Sequence, residues 1–211
     1  MDRRFVSLAR RAFLVAVIGA ASLMSVAPAS ADADAERFAQ TLIDQGVGIL
    51  RNTSDPARRA KFREFITQYA DARKTALFTL GNYRRAASDT DLEAFVRAFQ
   101  DYATAVYESR LDRYKGQTLK VVGSIDNKPG DVTVNMVVVD PNAPSQLRVA
   151  FRLHGGSANY RFIDIQVEGI WLSVDQREQF AAFLSKNNGS IPLLTAHLQT
   201  QAQQIMAGGP R

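Results

Sequence analysis

Across residues 34–114 the apolar positions recur at steps of three and four, the spacing that gathers them on one side of a helix. In the first segment, 34–50, Phe38, Leu42, Ile43 and Leu50 share a side. Ser54-Asp55-Pro56 joins a capping side chain to a first-turn proline and predicts a second helix start, followed by Phe62, Phe65, Ile66 and Tyr69. A third segment, 72–80, stops at Gly81. The fourth is the longest. Ser88 opens it with Asp91 placed to reach back, its stripe runs through Leu92, Phe95, Val96, Phe99, Tyr102, Val106, Leu111 and Tyr114, and Gly116 closes it.

The period then falls to two. Residues 118–124, 131–140, 146–154 and 159–167 read as four strands, parted by Asn127-Lys128-Pro129-Gly130, Pro141-Asn142-Ala143-Pro144 and Gly155-Gly156-Ser157. Connections this short force antiparallel neighbours, so the strands predict a meander. In the third, Leu147, Val149, Phe151 and Leu153 face one way and Arg148, Ala150, Arg152 and His154 the other. Helical spacing returns after Ser173 with Phe180, Phe183 and Leu184, and again after Ser190-Ile191-Pro192 with Leu194, Leu198 and Ile205. Residues 207–211 read as a disordered tail. The order predicts an α+β fold: a curled four-stranded antiparallel meander packed against N- and C-terminal helices.

The first residues follow a different rule. Arg3, Arg4, Arg10 and Arg11 precede an uncharged run over 12–24, and Ala29-Ser30-Ala31 fits the small-x-small cleavage pattern. Residues 1–31 therefore read as a cleaved signal peptide, with 32–206 as a single domain. The apolar run is shorter than the roughly 20 residues a membrane-spanning helix needs. Arg10-Arg11 leaves both the general secretory and the twin-arginine routes open. Leaving out 1–31 removes four arginines and one aspartate, which lowers the formal charge from +5 to +2. A nucleic-acid partner is excluded on that balance and on export.

Composition narrows the chemistry. The 211 residues contain no cysteine and two histidines, so a thiolate metal site, a disulfide framework, a cysteine nucleophile and a histidine-rich metal centre are all excluded. His154 ends a strand on the face of Arg148 and Arg152, a solvated cationic neighbourhood. Asp164 interrupts an apolar run; it is either a desolvated general base or an aspartate that faces solvent or bonds a neighbouring loop. No glycine-rich phosphate loop and no G-x-S-x-G elbow occurs. The basic clusters Arg58-Arg59-Arg63 and Arg84-Arg85 read as wet helix faces or as contacts for an acidic partner. Phe62, Phe65, Phe95, Phe99, Tyr102, Phe151, Phe162, Phe180 and Phe183 are either a large core or the lining of an apolar pocket.

Tyr160-Arg161-Phe162-Ile163-Asp164-Ile165-Gln166-Val167-Glu168-Gly169-Ile170 resembles the "aromatic-K-V-Y-D-V-x-V-E-G-V" segment of the periplasmic phospholipid-binding proteins of the Mla pathway, the MlaC or toluene-tolerance family. Arg177, Gln179 and Phe180 match its "Y-R-x-Q-F", Leu80-Gly81-Asn82-Tyr83-Arg84-Arg85 is similar to its "L-G-R-Y-W-R", and Tyr107, Leu111 and Tyr114 fit its "Y-x-x-x-L-x-x-Y". Arg84 stands where the family has tryptophan, and Trp171 with Asp175-Gln176 resembles the hopanoid-biosynthesis-associated branch. The resemblance implies a periplasmic carrier without enzymatic activity or cofactor. Its ligand would be a phospholipid, or alternatively a hopanoid. Its partners would be an inner-membrane lipid transporter and an outer-membrane complex. The residues themselves leave two other readings open: an isomerase-like enzyme using Asp164 as base, and a module that only contacts transporter subunits.

For the lipid reading, the expected pocket lies between the third strand and the fourth helix. Leu147, Val149 and Phe151 would face Phe95, Phe99 and Tyr102, with Met136, Ile163 and Ile165 on adjacent strands and Trp171 near one end.

Overall fold

The structure is a computed structural model and describes residues 32–140, 147–156 and 159–208. The proposed signal peptide, the Pro141-Asn142-Ala143-Pro144 turn, Ser157 and residues 209–211 of the tail lie outside the described residues. Four helices come first: α1 (Ala33–Arg51), α2 (Arg58–Tyr69), α3 (Ala72–Thr79) and α4 (Asp89–Glu108). Five strands follow: β1 (Thr118–Lys128), β2 (Asp131–Val139), β3 (Arg148–His154), β4 (Arg161–Val167) and β5 (Ile170–Trp171). Then come α5 (Leu172–Lys186) and α6 (Ile191–Met206).

Side-chain caps set several starts. The Asp32 carboxylate accepts the N–H groups of Asp34 and Ala35 at 3.0 and 2.8 Å, Ser88 Oγ that of Asp91 at 3.1 Å, and Ser190 Oγ that of Leu193 at 3.3 Å. Elsewhere the expected starts and stops move. Asp55 accepts from the Ala57 N–H at 2.8 Å and from Lys61 Nζ at 2.7 Å, so Ser54-Asp55-Pro56 folds as a turn and α2 begins at Arg58. The α4 stripe does not stay α-helical to Gly116: the helix ends at Glu108, and Leu111–Arg113 continue as a 3₁₀ turn. Ser173 does not cap α5. Its hydroxyl and N–H both go to Asp164, and the helix starts one residue earlier.

The sheet has five strands, not four, in the order β1-β2-β3-β4-β5, all antiparallel. Glu168 (φ 47°) and Gly169 (φ 86°) make the tight left-handed turn that joins β4 to β5. At two residues, β5 is too short for alternation to show, and it runs straight into α5. The registers Val134↔Phe151↔Ile165 and Met136↔Val149↔Val167 line up one face of the sheet. Thr133↔Arg152↔Asp164 and Asn135↔Ala150↔Gln166↔Trp171 line up the other. Beyond the β4 edge, Asp71 donates its N–H to the Phe162 carbonyl at 2.8 Å, so the α2–α3 junction extends the sheet.

Two apolar cores result. In one, Ala35, Ala39 and Ile43 of α1 bury Val132, Val134, Met136, Leu153 and Tyr160 against the first face of the sheet. The other is helical: Leu80, Phe95, Phe99, Phe180, Leu184, Leu194 and Leu198 pack α3, α4, α5 and α6 together.

Candidate functional site

The helix α2 has two working sides. At steps of three and four, Phe62, Phe65 and Tyr69 point toward α1, where the Phe65 ring passes beside Gly46. Phe62 and Phe65 are 6.3 Å apart, Phe65 and Tyr69 5.3 Å, Tyr69 and Phe38 of α1 6.0 Å, and Phe38 and Tyr160 5.9 Å between ring centres. Phe38, Phe151 and Phe162 pack against the same sheet core, the last two meeting edge to face at 5.1 Å. Tyr160 is buried; the other rings of this seam are half-buried, as are Val149, Ile165 and Val167 beside them. Together these half-buried rings make an apolar surface that continues the sheet core.

The opposite side of α2 borders a groove of about 780 Å³ shared with α4 and α6. Its small residues include Ala70, Ala103, Ala105 and Ala202, but Arg63, Arg73, Arg161, Asp71, Asp101 and Glu108 also line it. Hydrocarbon lying there would strip water from six charged groups, an unfavourable exchange. The ring seam is the more apolar of the two surfaces.

The expected site residues divide among these surfaces. Met136, Val149, Phe151 and Ile165 do share the α1-facing side of the sheet, and Leu147 continues their alternation with an exposed side chain. Phe95 and Phe99 do not meet them. Both rings stand edge-on to Phe180, at 5.9 and 6.3 Å, inside the helical core, with Tyr102 packed against that core. The apolar stripe of α4 is used up by α3, α5 and α6. Trp171, paired with Gln166, lies on the other face of the sheet, and Ile163 falls where the β3–β4 register shifts. Alternation found the strand face correctly; nothing in the spacing of α4 says which neighbour its stripe will choose. The rings of α2 carry a readable signal at 62, 65 and 69, but the adjacency of Tyr69 to Phe38 is tertiary.

The polar groups are committed to structure. Asp164 is buried, and burial holds its carboxyl above the ordinary aspartate value. Its Oδ1 accepts from the N–H groups of Ile165 and Ser173 at 2.9 and 3.0 Å, and its Oδ2 from the Ser173 hydroxyl. That occupancy ties β4 to the start of α5, so Asp164 neither faces solvent nor bonds a loop but holds the first turn of a helix. Arg152 grips Asp131 with Nε at 2.9 Å and a terminal nitrogen at 2.6 Å, which holds the Asp131 carboxyl below its usual value despite burial. His154 is not simply solvated: its Nε2 lies 3.0 Å from Asp71 Oδ2, fastening the end of β3 to the cap of α3. Among the described residues no group of three or more histidines and carboxylates is placed to hold a metal, and no helix is long and apolar enough to cross a membrane.

An antiparallel sheet with one apolar face roofed by helices, its polar groups spent on tying elements together, defines an α+β binding fold. The family model described as MlaC protein matches residues 40–200, and the chain belongs to that family. The chain is also similar to a solved structure, the phospholipid-binding protein from Ralstonia solanacearum in complex with a phospholipid. The two are 22% identical, with a TM-score of 0.67 over 82% of this chain and 99% of the other, a likeness of fold.

Proposed function

We propose that this protein is an exported, periplasmic carrier that binds the acyl chains of a phospholipid and moves it between inner- and outer-membrane complexes without chemical change. The observation that carries the reading is the half-buried ring seam of Phe38, Phe62, Phe65, Tyr69, Phe151 and Phe162 in a chain of the MlaC family. Each methylene taken out of water gains about 0.8 kcal/mol, so a lipid leaves a bilayer slowly unless it meets apolar surface on the way. A carrier that offers such surface needs no reacting group. The titratable residues nearest to chemistry, Asp164 and His154, are engaged in fold contacts, which supports a role other than catalysis.

In this reading Met136, Val149, Phe151 and Ile165 contact hydrocarbon from the sheet and the α2 rings contact it from above, with Leu147 at the rim. Phe95, Phe99 and Tyr102 support the helical core. The phospholipid-bound Ralstonia protein, similar in fold, makes a phospholipid the first choice of ligand. The Glu168-Gly169-Ile170-Trp171 segment keeps a hopanoid as the second.

The test is organic extraction of the purified protein followed by mass spectrometry. A diacyl phospholipid in near-stoichiometric amount is expected, and a polycyclic triterpenoid in its place would establish the second reading. Protein that carries neither, and takes up neither from vesicles, would overturn the proposal.

A further inference from the structure

One end of the sheet is apolar on one face and cationic on the other. Val138 donates its N–H to the Leu147 carbonyl at 2.8 Å, which places Leu119↔Val138 and Leu147 in one cross-strand row; Val149↔Val167↔Ile170 is the next. All six are aliphatic, and none is fully buried. Ile170 is 61% exposed and Leu147 42%, far more than buried positions farther along the same face such as Val134 and Leu153. On the opposite face the register Lys120↔Val137↔Arg148 sets two exposed cations behind the apolar row, with exposed Lys115 just ahead of β1. Glu168 accepts the Arg148 N–H and pairs with its guanidinium, which offsets that cation, and Asp140 accepts from Gln117; Lys115, Lys120 and Arg148 still outnumber these two carboxylates.

We propose that this end of the sheet is a docking surface for an anionic lipid bilayer. It rests on the reading of the chain as a lipid carrier. Leu147 and Ile170 enter the headgroup boundary while Lys115 and Lys120 stay at the phosphate level, the arrangement that suits an interface of apolar interior and negative surface. The argument for a bilayer over another occupant has two parts. The charges behind the apolar row are of the sign that lipid phosphates attract, and the row continues the sheet face that carries Val149 and Phe151. A docked carrier would present that face to the membrane without exposing hydrocarbon to water on the way.

Sedimentation with sucrose-loaded vesicles tests this, read together with the emission of Trp171, the only tryptophan in the chain and the neighbour of Ile170. Vesicles of phosphatidylcholine with phosphatidylglycerol should carry the protein down and shift Trp171 emission to the blue; pure phosphatidylcholine should bind it at least tenfold more weakly. Ile170→Glu should weaken binding tenfold or more with the thermal midpoint and the co-purified lipid unchanged, and Leu147→Glu should weaken vesicle binding to the same degree. Lys120→Glu should bring anionic vesicles down to the level of neutral ones. No binding to either vesicle, or binding indifferent to Ile170→Glu and Leu147→Glu, would overturn the proposal. So would a concentration-dependent dimer that Leu147→Glu dissolves, since the row would then cover a second copy. Lipid extraction from the same preparation separates the two ideas: bound lipid without vesicle binding sinks the docking surface alone, and absence of lipid sinks the carrier.

Discussion

Asp164 shows how one side chain can resemble a catalytic group and serve the fold. Three donors converge on a buried carboxylate whose proton affinity burial has raised. Asp164→Asn keeps acceptor capacity for the two N–H groups and should leave folded, lipid-loaded protein. Asp164→Ala strands buried donors and should cost about 1–3 kcal/mol in denaturant unfolding; loss of lipid from folded Asp164→Asn protein would restore a polar role to the site. Asp131 carries the opposite sign. Its folded carboxyl lies below the unfolded value because Arg152 holds the charged form, so its contribution is complete above the unfolded value near 3.8 and disappears as pH falls through the lower folded one. Thermal midpoints from pH 7 to pH 2 should fall less steeply in Asp131→Asn than in the parent, from a lower starting point. An unchanged acid limb would remove Asp131 from the account.

Among the elements, α4 and α6 are held by burial and α2 is not. Leu194 and Leu198 of α6 are essentially inaccessible beside Phe95 and Phe99 of α4, whereas the buried residue of α2 is Arg58. What fastens α2 is polar: Arg63 grips Glu108 with two bonds of 3.0 and 3.1 Å, and Arg59 donates to the Glu108 carbonyl at 2.9 Å. Leu194→Ala opens a void in close-packed core and should cost about 2–5 kcal/mol. Calorimetry checks it, and a change under 1 kcal/mol would mean the helical core is loose. Much of this level was readable in advance. Helical spacing placed five of the six helices within a few residues of their ends, because an amphipathic stripe and its caps are local. Boundaries slipped at α4, whose stripe passes into a 3₁₀ turn, and at α2 and α5, where Asp55 and Ser173 bond to partners that local pattern does not name.

For the whole molecule, the separation of two cores sets the α1-facing side of the sheet apart from the α4 stripe. Val149 lies half-buried on the α1-facing side of the sheet, flanked by Met136 and Val167. Val149→Trp should fold with a midpoint near that of the parent and lose most of its co-purified lipid, as judged by mass spectrometry. In solid core the same enlargement would cost about 1–3 kcal/mol or more. A protein that unfolds, or one that keeps its lipid, would move the site off this face.

The sequence by itself determined the α+β order, the antiparallel meander, the inward face of β3 and the family. Each depends on short-range pattern: turn residues, a period of two or 3.6, or a run such as Asp164-Ile165-Gln166-Val167-Glu168-Gly169-Ile170. Tertiary structure alone decided the partners of those faces. The α4 stripe could have met the sheet or other helices with equal hydrophobic gain, because burial has no direction. Its choice of α6 followed from the chain folding α3, α5 and α6 around it, and that left this face of the sheet to α1. The fifth strand, the Asp164–Ser173 tie and the His154–Asp71 clasp belong to the same class. Each joins residues whose pairing is fixed by where the backbone turns rather than by what the side chains are.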